Sequence, residues 1–236
     1  MIISGLQKMT LLDYPGKIAC TVFLQGCNFR CPFCHNSDLL GKSILPPITR
    51  ETLIAFLEKR KGLLDGVCVT GGEPTLSPQL PDLLKQIKQM GFAVKLDTNG
   101  YRPDVLKELV EAGIVDYVAM DIKNSPSKYP QTAGISQLQL ETIQQSIGYL
   151  LSGAVEFEFR TTVVKEFHEE SDFVEIGEWL REISPLSSAK RYFLQAFVDR
   201  ESVLSAGLHS PNKAQMERFA AVLGSYVDQV SIRGLD

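Results

Sequence analysis

Six times along the sequence a short apolar run, rich in β-branched and aromatic residues, gives way to a longer run with helical spacing. Ile18 to Leu24 ends near Gly26. Thr49 to Lys61 then carries Leu53, Ile54, Phe56 and Leu57, with Thr49 at the N-cap position and Gly62 past the end. The later pairs are Gly66–Thr70 with Pro81–Met90, Phe92–Leu96 with Pro103–Ala112, and Val115–Met120 with Leu138–Leu151. Val155–Val164 with Asp172–Ile183 and Tyr192–Phe197 with Pro211–Leu223 complete the six, and a last run from Val227 to Ile232 fits either type. Strands that alternate with helices imply a parallel sheet with the helices packed outside it. Crossovers of one handedness then leave two architectures, a partial barrel and a doubly wound sheet, which periodicity alone does not separate. The expectation adopted is an α/β single-domain partial (βα)6 TIM-like barrel with parallel strands, covering all 236 residues. Such folds commonly run to about 200–250 residues in one domain.

In parallel α/β folds, ligands sit at the C-terminal ends of the strands. The polar clusters of this chain fall at those positions. Cys27 to Asn36 follows the first strand, Thr70-Gly-Gly-Glu-Pro74 the second, Asp97-Thr-Asn-Gly100 the third and Asp121-Ile-Lys123 the fourth. Residues distant in sequence are thereby expected to converge on one face, which favours an enzyme. Between Asn124 and Ser136 no periodicity is evident, and the Ser, Pro, Lys and Gly content reads as a surface loop able to move or meet a partner.

The net charge of -4 gives no general attraction for nucleic acid or an anionic membrane. No stretch approaches the ~20 apolar residues of a membrane span. The N-terminus lacks the basic region and apolar run of a signal peptide, so the chain reads as cytoplasmic. The five cysteines are odd in number and three lie within eight residues, which suits a metal site better than a disulfide framework. Cys20 and Cys68 fall inside strand-like runs and read as core residues.

Cys27, Cys31 and Cys34 have C-x3-C-x2-C spacing in the loop 25–37. Thiolates are the usual ligands of iron–sulfur clusters, whereas structural zinc generally takes four ligands in two pairs. A zinc site completed by His35 or Cys68 remains an alternative. A cluster with three protein ligands keeps one iron open, the arrangement that distinguishes catalytic metals from structural ones. His168 and His209 lie in polar stretches and receive no role.

The cysteine spacing, the aromatic Phe33 just before the third cysteine and the position after the first strand resemble the signature of the radical S-adenosylmethionine family. That resemblance implies a [4Fe–4S] cluster held by Cys27, Cys31 and Cys34, with S-adenosylmethionine chelating the fourth iron. One-electron cleavage of the sulfonium then gives methionine and a 5′-deoxyadenosyl radical. Gly71, Gly72 and Glu73 resemble the motif that binds the amino end of the cofactor, and alone would pass for a turn. Asp97, Thr98, Asp121 and Lys123 resemble groups near the methionine part of the cofactor, where a monovalent cation can sit among them. A lysine can pair with the cofactor carboxylate, and aspartates can balance a sulfonium or a cation. Arg160, in the fifth strand, needs a partner and is either a cofactor contact or a buried salt bridge; Gln195 poses the same question in the sixth.

Thr10-Leu-Leu-Asp-Tyr-Pro-Gly16 resembles a segment whose aspartate faces the protein substrate, which makes Asp13 a candidate for substrate docking against the simpler reading of a turn. Taken together, the motifs are similar to those of activating proteins of glycyl radical enzymes, most of all those of anaerobic ribonucleoside-triphosphate reductases. The implied reaction is abstraction of a hydrogen from a glycine Cα of that partner, with flavodoxin or ferredoxin as electron donor. Other readings are a radical enzyme acting on a small molecule, an iron–sulfur electron carrier, and a zinc-stabilised binding module. The glycine motif after the second strand is left unexplained by the last two.

Overall fold

The computed structural model describes residues 1–41 and 46–235. The chain forms two compact units, one of residues 1–28, 36–98 and 104–119, the other of residues 29–35, 99–103 and 120 onward.

The first unit holds β1 (Ile3–Thr10), β2 (Ala19–Leu24), α1 (Arg50–Glu58), β3 (Gly66–Gly71), α2 (Leu80–Gln89), β4 (Ala93–Thr98), nearly all of α3 (Pro103–Glu111) and most of β5 (Tyr117–Asp121). Each helix starts where the sequence supplies a stop or a cap. Thr49 Oγ1 accepts the Thr52 N–H at 3.1 Å and opens α1. Pro81 stands in the first turn of α2 and Pro103 at the start of α3, where a missing N–H costs nothing. Buried Leu80, Leu83, Leu84 and Ile87 form one stripe of α2, each contributing about 1.5–3 kcal/mol through burial.

The strands β2, β3 and β4 are parallel and in register, with Val22 beside Val69 and Val69 beside Leu96. Those residues and their period-two neighbours give one face that is apolar up to Thr98 at the end of β4. The opposite face is layered. Ala19, Gly66 and Ala93 form its first row, roofed by Tyr14, whose ring would crowd any side chain at position 66. Thr21, Cys68 and Lys95 form the second row, and Phe23, Thr70 and Asp97 lie beyond.

The second unit holds α4 (Tyr129–Ala133), α5 (Leu140–Leu151), β6 (Glu156–Val163), α6 (Glu170–Ile183), β7 (Tyr192–Ala196), α7 (Lys213–Leu223) and β8 (Val230–Arg233). β6, β7 and β8 are parallel, with Thr161 beside Leu194 and Leu194 beside Ile232. Capping boxes open α6 (Glu169 with Asp172) and α7 (Asn212 with Gln215).

Sheet order follows chain order from β1 to β8. A doubly wound sheet needs a reversal of strand order, and there is none, so the barrel-type winding expected from the sequence is the one adopted. Two strands extend it. β1 pairs antiparallel with β2; Gly5 and the polar Gln7-Lys8 erase its alternation, so it is invisible to periodicity. β8 settles the ambiguous C-terminal run. The expected surface loop at 124–136 is corrected. It contains α4, and Asn124, Ser125, Tyr129, Thr132 and Ala133 are all fully buried. Asn124 and Ser125 face inward because each finds a partner, Asn124 Nδ2 donating to Phe167 O at 2.9 Å and Ser125 Oγ to Asp172 at 3.0 Å, while Ser127, Gln131 and Ser136 stay exposed. No helix among the described residues is long and apolar enough to cross a membrane.

Candidate active site

The cysteine loop leaves β2 in the first unit, passes through the second at residues 29–35 and returns at 36. All five cysteines are free of disulfides. Cys27 and Cys34 are half-buried and Cys31 is buried.

In the first unit the Cys27 end is set by the glycine turn after β3. Gly72 N donates to Leu24 O at 2.9 Å and Glu73 N to Gly26 O at 2.7 Å. A Cβ on Gly72 would sit on Gly26 O, and one on Gly71, whose φ is +124°, on the Leu24 backbone. The close approach these glycines permit is thus to the backbone leading into Cys27. Asn36 Nδ2 donates to Gly71 O at 3.1 Å and ties the returning chain to the same turn.

Glu73 is 2 % exposed. Its Oε1 accepts from Thr75 N at 3.1 Å, Thr75 Oγ1 at 2.5 Å and Thr98 Oγ1 at 2.8 Å. Glu73 and Thr98, far apart in sequence, are brought into direct contact. Asp97 pairs with Lys95 of its own strand, and Cys68 Sγ lies 3.6 Å from Asp97 Oδ1. Asp13 accepts from Thr21 Oγ1 at 2.5 Å, so its carboxylate turns toward the row of Thr21, Cys68 and Lys95. Cys20, on the apolar face, has its thiol pushed up to about 12 by burial.

In the second unit Arg30 N donates to Ala133 O at 2.9 Å, and the Cys31 Sγ lies 3.9 Å from the same carbonyl. Gly134, with φ +68°, ends α4 directly against Arg30 O, where a Cβ would collide. Phe33 is buried and faces Phe167 and His168, with ring centroids 6.0 and 6.5 Å away. His35 stacks on Phe197 at 5.4 Å and donates its Nε2–H to Val198 O at 2.8 Å. No three His, Cys, Asp or Glu side chains among the described residues gather tightly enough for a single metal ion, a closer gathering than a multi-iron cluster asks for.

Asp121 ends β5 between two cations, with Lys123 Nζ at 3.0 Å and Arg160 Nε at 2.9 Å. Burial works against its charge, but Arg160 and Lys123 outweigh it and hold the carboxyl well below the usual range. Lys123 shows the converse: burial opposes its charge, and Asp121 holds it well above its ordinary value. Arg160 therefore has its partner, and the group of three carries one net positive charge. Gln195 lies beside Thr162 in the register, on the same strand face as Arg160.

Three residues that sequence reading passed over matter here. His168 is buried; its Nδ1 accepts the Val164 N–H at 3.1 Å and its Nε2–H donates to Lys123 O at 3.0 Å. Burial holds the imidazole below its ordinary value and so neutral, against the two backbone contacts that favour the cation. His168 therefore fixes the backbone of Lys123 while lying edge-on to Phe33. Nothing in its polar neighbourhood marked it. Lys95 did carry a signal, a charge inside an apolar strand with an aspartate two residues on. Gly134 carried only the weak signal of a glycine after a short segment. His209 pairs with Glu166 at 2.6 Å on the surface, outside these clusters.

Three thiols free of disulfides on one loop are of the donor type that iron–sulfur clusters use. In the first unit the buried Glu73 carboxylate is of the kind that accepts an ammonium, and in the second the net-positive group of Asp121, Lys123 and Arg160 is of the kind that accepts a carboxylate. The residues therefore fit both groups that the motifs imply.

The sequence model of the radical SAM superfamily matches residues 21–180. The chain is 29 % identical over 243 residues to a protein of Methanocaldococcus jannaschii named as a glycyl-radical enzyme activating enzyme, covering 100 % of this chain and 97 % of that one. It is 26 % identical over 244 residues to pyruvate formate-lyase 1-activating enzyme of Escherichia coli, covering 97 % of each. Among solved structures, a domain of pyruvate-formate lyase-activating enzyme from Bacteroides vulgatus superposes with a TM-score of 0.59 at 22 % identity, covering 72 % of this chain and 99 % of that one.

Proposed function

We propose that this chain, which belongs to the radical SAM superfamily, activates a glycyl radical enzyme by removing a hydrogen atom from a backbone glycine of that partner. The observation that carries this reading is the anchored C-x3-C-x2-C loop with three thiols free of disulfides. Similarity along the whole chain to activating enzymes supports the choice of substrate. A [4Fe–4S] cluster with S-adenosylmethionine supplies one-electron cleavage of the sulfonium and, from it, hydrogen-atom abstraction.

The chain's own residues bind and orient. Cys27, Cys31 and Cys34 hold the cluster, and buried Phe33 and Arg30 N fix the middle of that loop. Glu73 takes the cofactor ammonium, its carboxylate aimed by Thr75 and Thr98; Gly71 and Gly72 bring that turn against the loop. Lys123 takes the cofactor carboxylate, oriented through Asp121 and through the His168 strut. Arg160 supplies the second positive charge beside it, with Gln195 on the same face. Asp97 and Thr98 lie toward the methionine part, and Asp13 faces the partner's glycine segment. The partner we infer is anaerobic ribonucleoside-triphosphate reductase, from the run Asp13-Tyr-Pro-Gly-Lys17 together with the motifs after each strand; flavodoxin or ferredoxin is the electron donor.

Anaerobic reconstitution with iron and sulfide, followed by dithionite and S-adenosylmethionine, should yield 5′-deoxyadenosine, and Cys31→Ala should abolish it. Mixing with the reductase should then give a doublet glycyl-radical signal in electron paramagnetic resonance. Cofactor cleavage without that signal would redirect the search to another glycyl radical enzyme. A reconstituted, redox-active protein that leaves the cofactor intact would overturn the proposal.

A further inference from the structure

Lys95 lies in the middle of β4 and is 1 % exposed. An ammonium is among the most costly groups to bury, and it persists in an interior only with a close countercharge. Side chains recur on a strand face with period two, which brings Lys95 Nζ onto Asp97 Oδ1, two residues on. Cys68 of β3 stands beside Lys95 in register, its Sγ 3.9 Å from Nζ and 3.6 Å from the same carboxylate oxygen. Thr21 of β2 continues the row on the far side of Cys68. The lysine stem is thus confined within the sheet face, and its charge is delivered to a carboxylate that is itself only 13 % exposed.

We propose that Lys95 is a positioning residue: its ammonium takes, beside Asp97, the place of the inorganic monovalent cation expected among these groups, so that the protein needs no such ion there. The proposal rests on reading Asp97 as a cofactor-side residue. An ion on Asp97 would have to share the carboxylate with a like charge that cannot move away, because its stem is packed. A compact ammonium with three donors is also the side-chain group closest in character to a small hydrated cation. The second carboxylate of the expected set, Asp121, already has Lys123 and Arg160 at 3.0 and 2.9 Å. Each carboxylate in question therefore has a cation built into the chain. A tethered cation cannot be diluted away, so Asp97 keeps one countercharge and one position whatever the potassium or sodium concentration.

The test uses the full chain without its cofactors, so that its outcome is independent of whether the protein cleaves S-adenosylmethionine. Melting temperature is followed at constant ionic strength while choline chloride is exchanged for potassium or ammonium chloride, and thallium-205 resonance serves as a direct probe of a bound monovalent ion. Wild type should melt at the same temperature in all three salts. Lys95→Met should melt about 10 °C lower in choline, the consequence of taking the countercharge from a largely enclosed carboxylate. Potassium or ammonium should restore much of that loss and produce a thallium signal, and Lys95→Met combined with Asp97→Asn should melt near wild type without any added ion. An equal loss in every salt would make Lys95 a purely structural residue and overturn the proposal. So would a thallium signal in wild type that Asp97→Asn removes, an outcome that decides the matter even if Lys95→Met fails to fold. Loss of cofactor cleavage in wild type would instead strike the proposed function and leave these results standing.

Discussion

The cysteine loop is gripped twice, and the two grips are built differently. At the Cys27 end the grip is a tight turn continuous with β3, in which Glu73 N reaches Gly26 O and Gly72 leaves no room for a Cβ. At the Cys31 end it is the C-terminus of a five-residue helix, α4, in which Arg30 N reaches Ala133 O and Gly134 lies against Arg30 O. Each grip combines backbone hydrogen bonding with close glycine contact. The first, however, is rooted in the sheet, whereas the second depends on a short helix that cannot be stable by itself. α4 is held by burial of Tyr129, Thr132 and Ala133 and by the bonds of Asn124. The comparison teaches that a loop can be positioned by a motif at one end and by packing at the other, but only the motif leaves a trace in the sequence.

The largest effects are expected at the two glycines. In Gly72→Ala the new methyl meets backbone, which has nowhere to yield, and in Gly134→Ala it meets backbone at a left-handed φ as well. Each substitution should destabilise by about 3 kcal/mol or more, and iron uptake on anaerobic reconstitution should fall with it. Gly153→Ala separates the two causes: its φ is +78° but nothing lies within 4 Å. It should cost only about 1–2 kcal/mol, the conformational share, and leave iron uptake intact. If Gly134→Ala behaves like Gly153→Ala in urea titrations, the second grip is not a grip.

How much of this was legible follows from the same contrast. The six strand–helix units, the cysteine loop and the gathering of polar motifs after the strands were readable, because each depends on local spacing or on the rule that strand ends converge; the barrel winding was favoured but not decided by periodicity. β1 was not, since an edge strand paired on one side needs no alternation. The 124–136 segment was misread because polar composition signals exposure only when the polar groups lack internal partners, and those of Asn124 and Ser125 are satisfied inside the chain. His168 went unnoticed for a similar reason. Its value lies in two backbone contacts made across tertiary structure, which no spacing announces.

His168 sharpens the comparison at the next level down, because it braces the second unit alone. His168→Ala leaves the Val164 N–H and the Lys123 carbonyl to find other partners, at about 1–3 kcal/mol each, so a loss of roughly 3 kcal/mol is expected by chemical denaturation, with cofactor affinity lowered through Lys123. The imidazole also carries a pH signature. Its folded value lies below the ordinary one, so the unfolded chain takes up the proton first as pH falls. The stabilisation is complete above about pH 6.5 and declines below it. Stability measured between neutral pH and pH 5 should therefore fall with acid in wild type and fall less in His168→Ala. His35, also held low by burial, contributes to the slope that remains. Identical slopes would mean that His168 is not held neutral in the native state.

The smallest effects test whether the grips share the load evenly. Outside the glycines, side-chain tethers to the backbone also hold each half of the loop, among them Asn36 Nδ2 donating to Gly71 O at 3.1 Å in the first unit and Ser202 Oγ donating to His35 O at 2.8 Å in the second. Both tethers are part-buried neutral hydrogen bonds, so Asn36→Ala and Ser202→Ala should each cost about 1 kcal/mol. Neither is among the proposed cluster ligands, so reconstituted iron content should stay near wild type in both. A measurable loss in Asn36→Ala with none in Ser202→Ala would show that the loop is carried by the sheet-rooted turn and merely rests against the second unit. The reverse would make packing around His35 and Phe197 the principal hold. Equal losses are what two independent grips on one loop require, because removing either tether then leaves the other grip's hydrogen bonds in place.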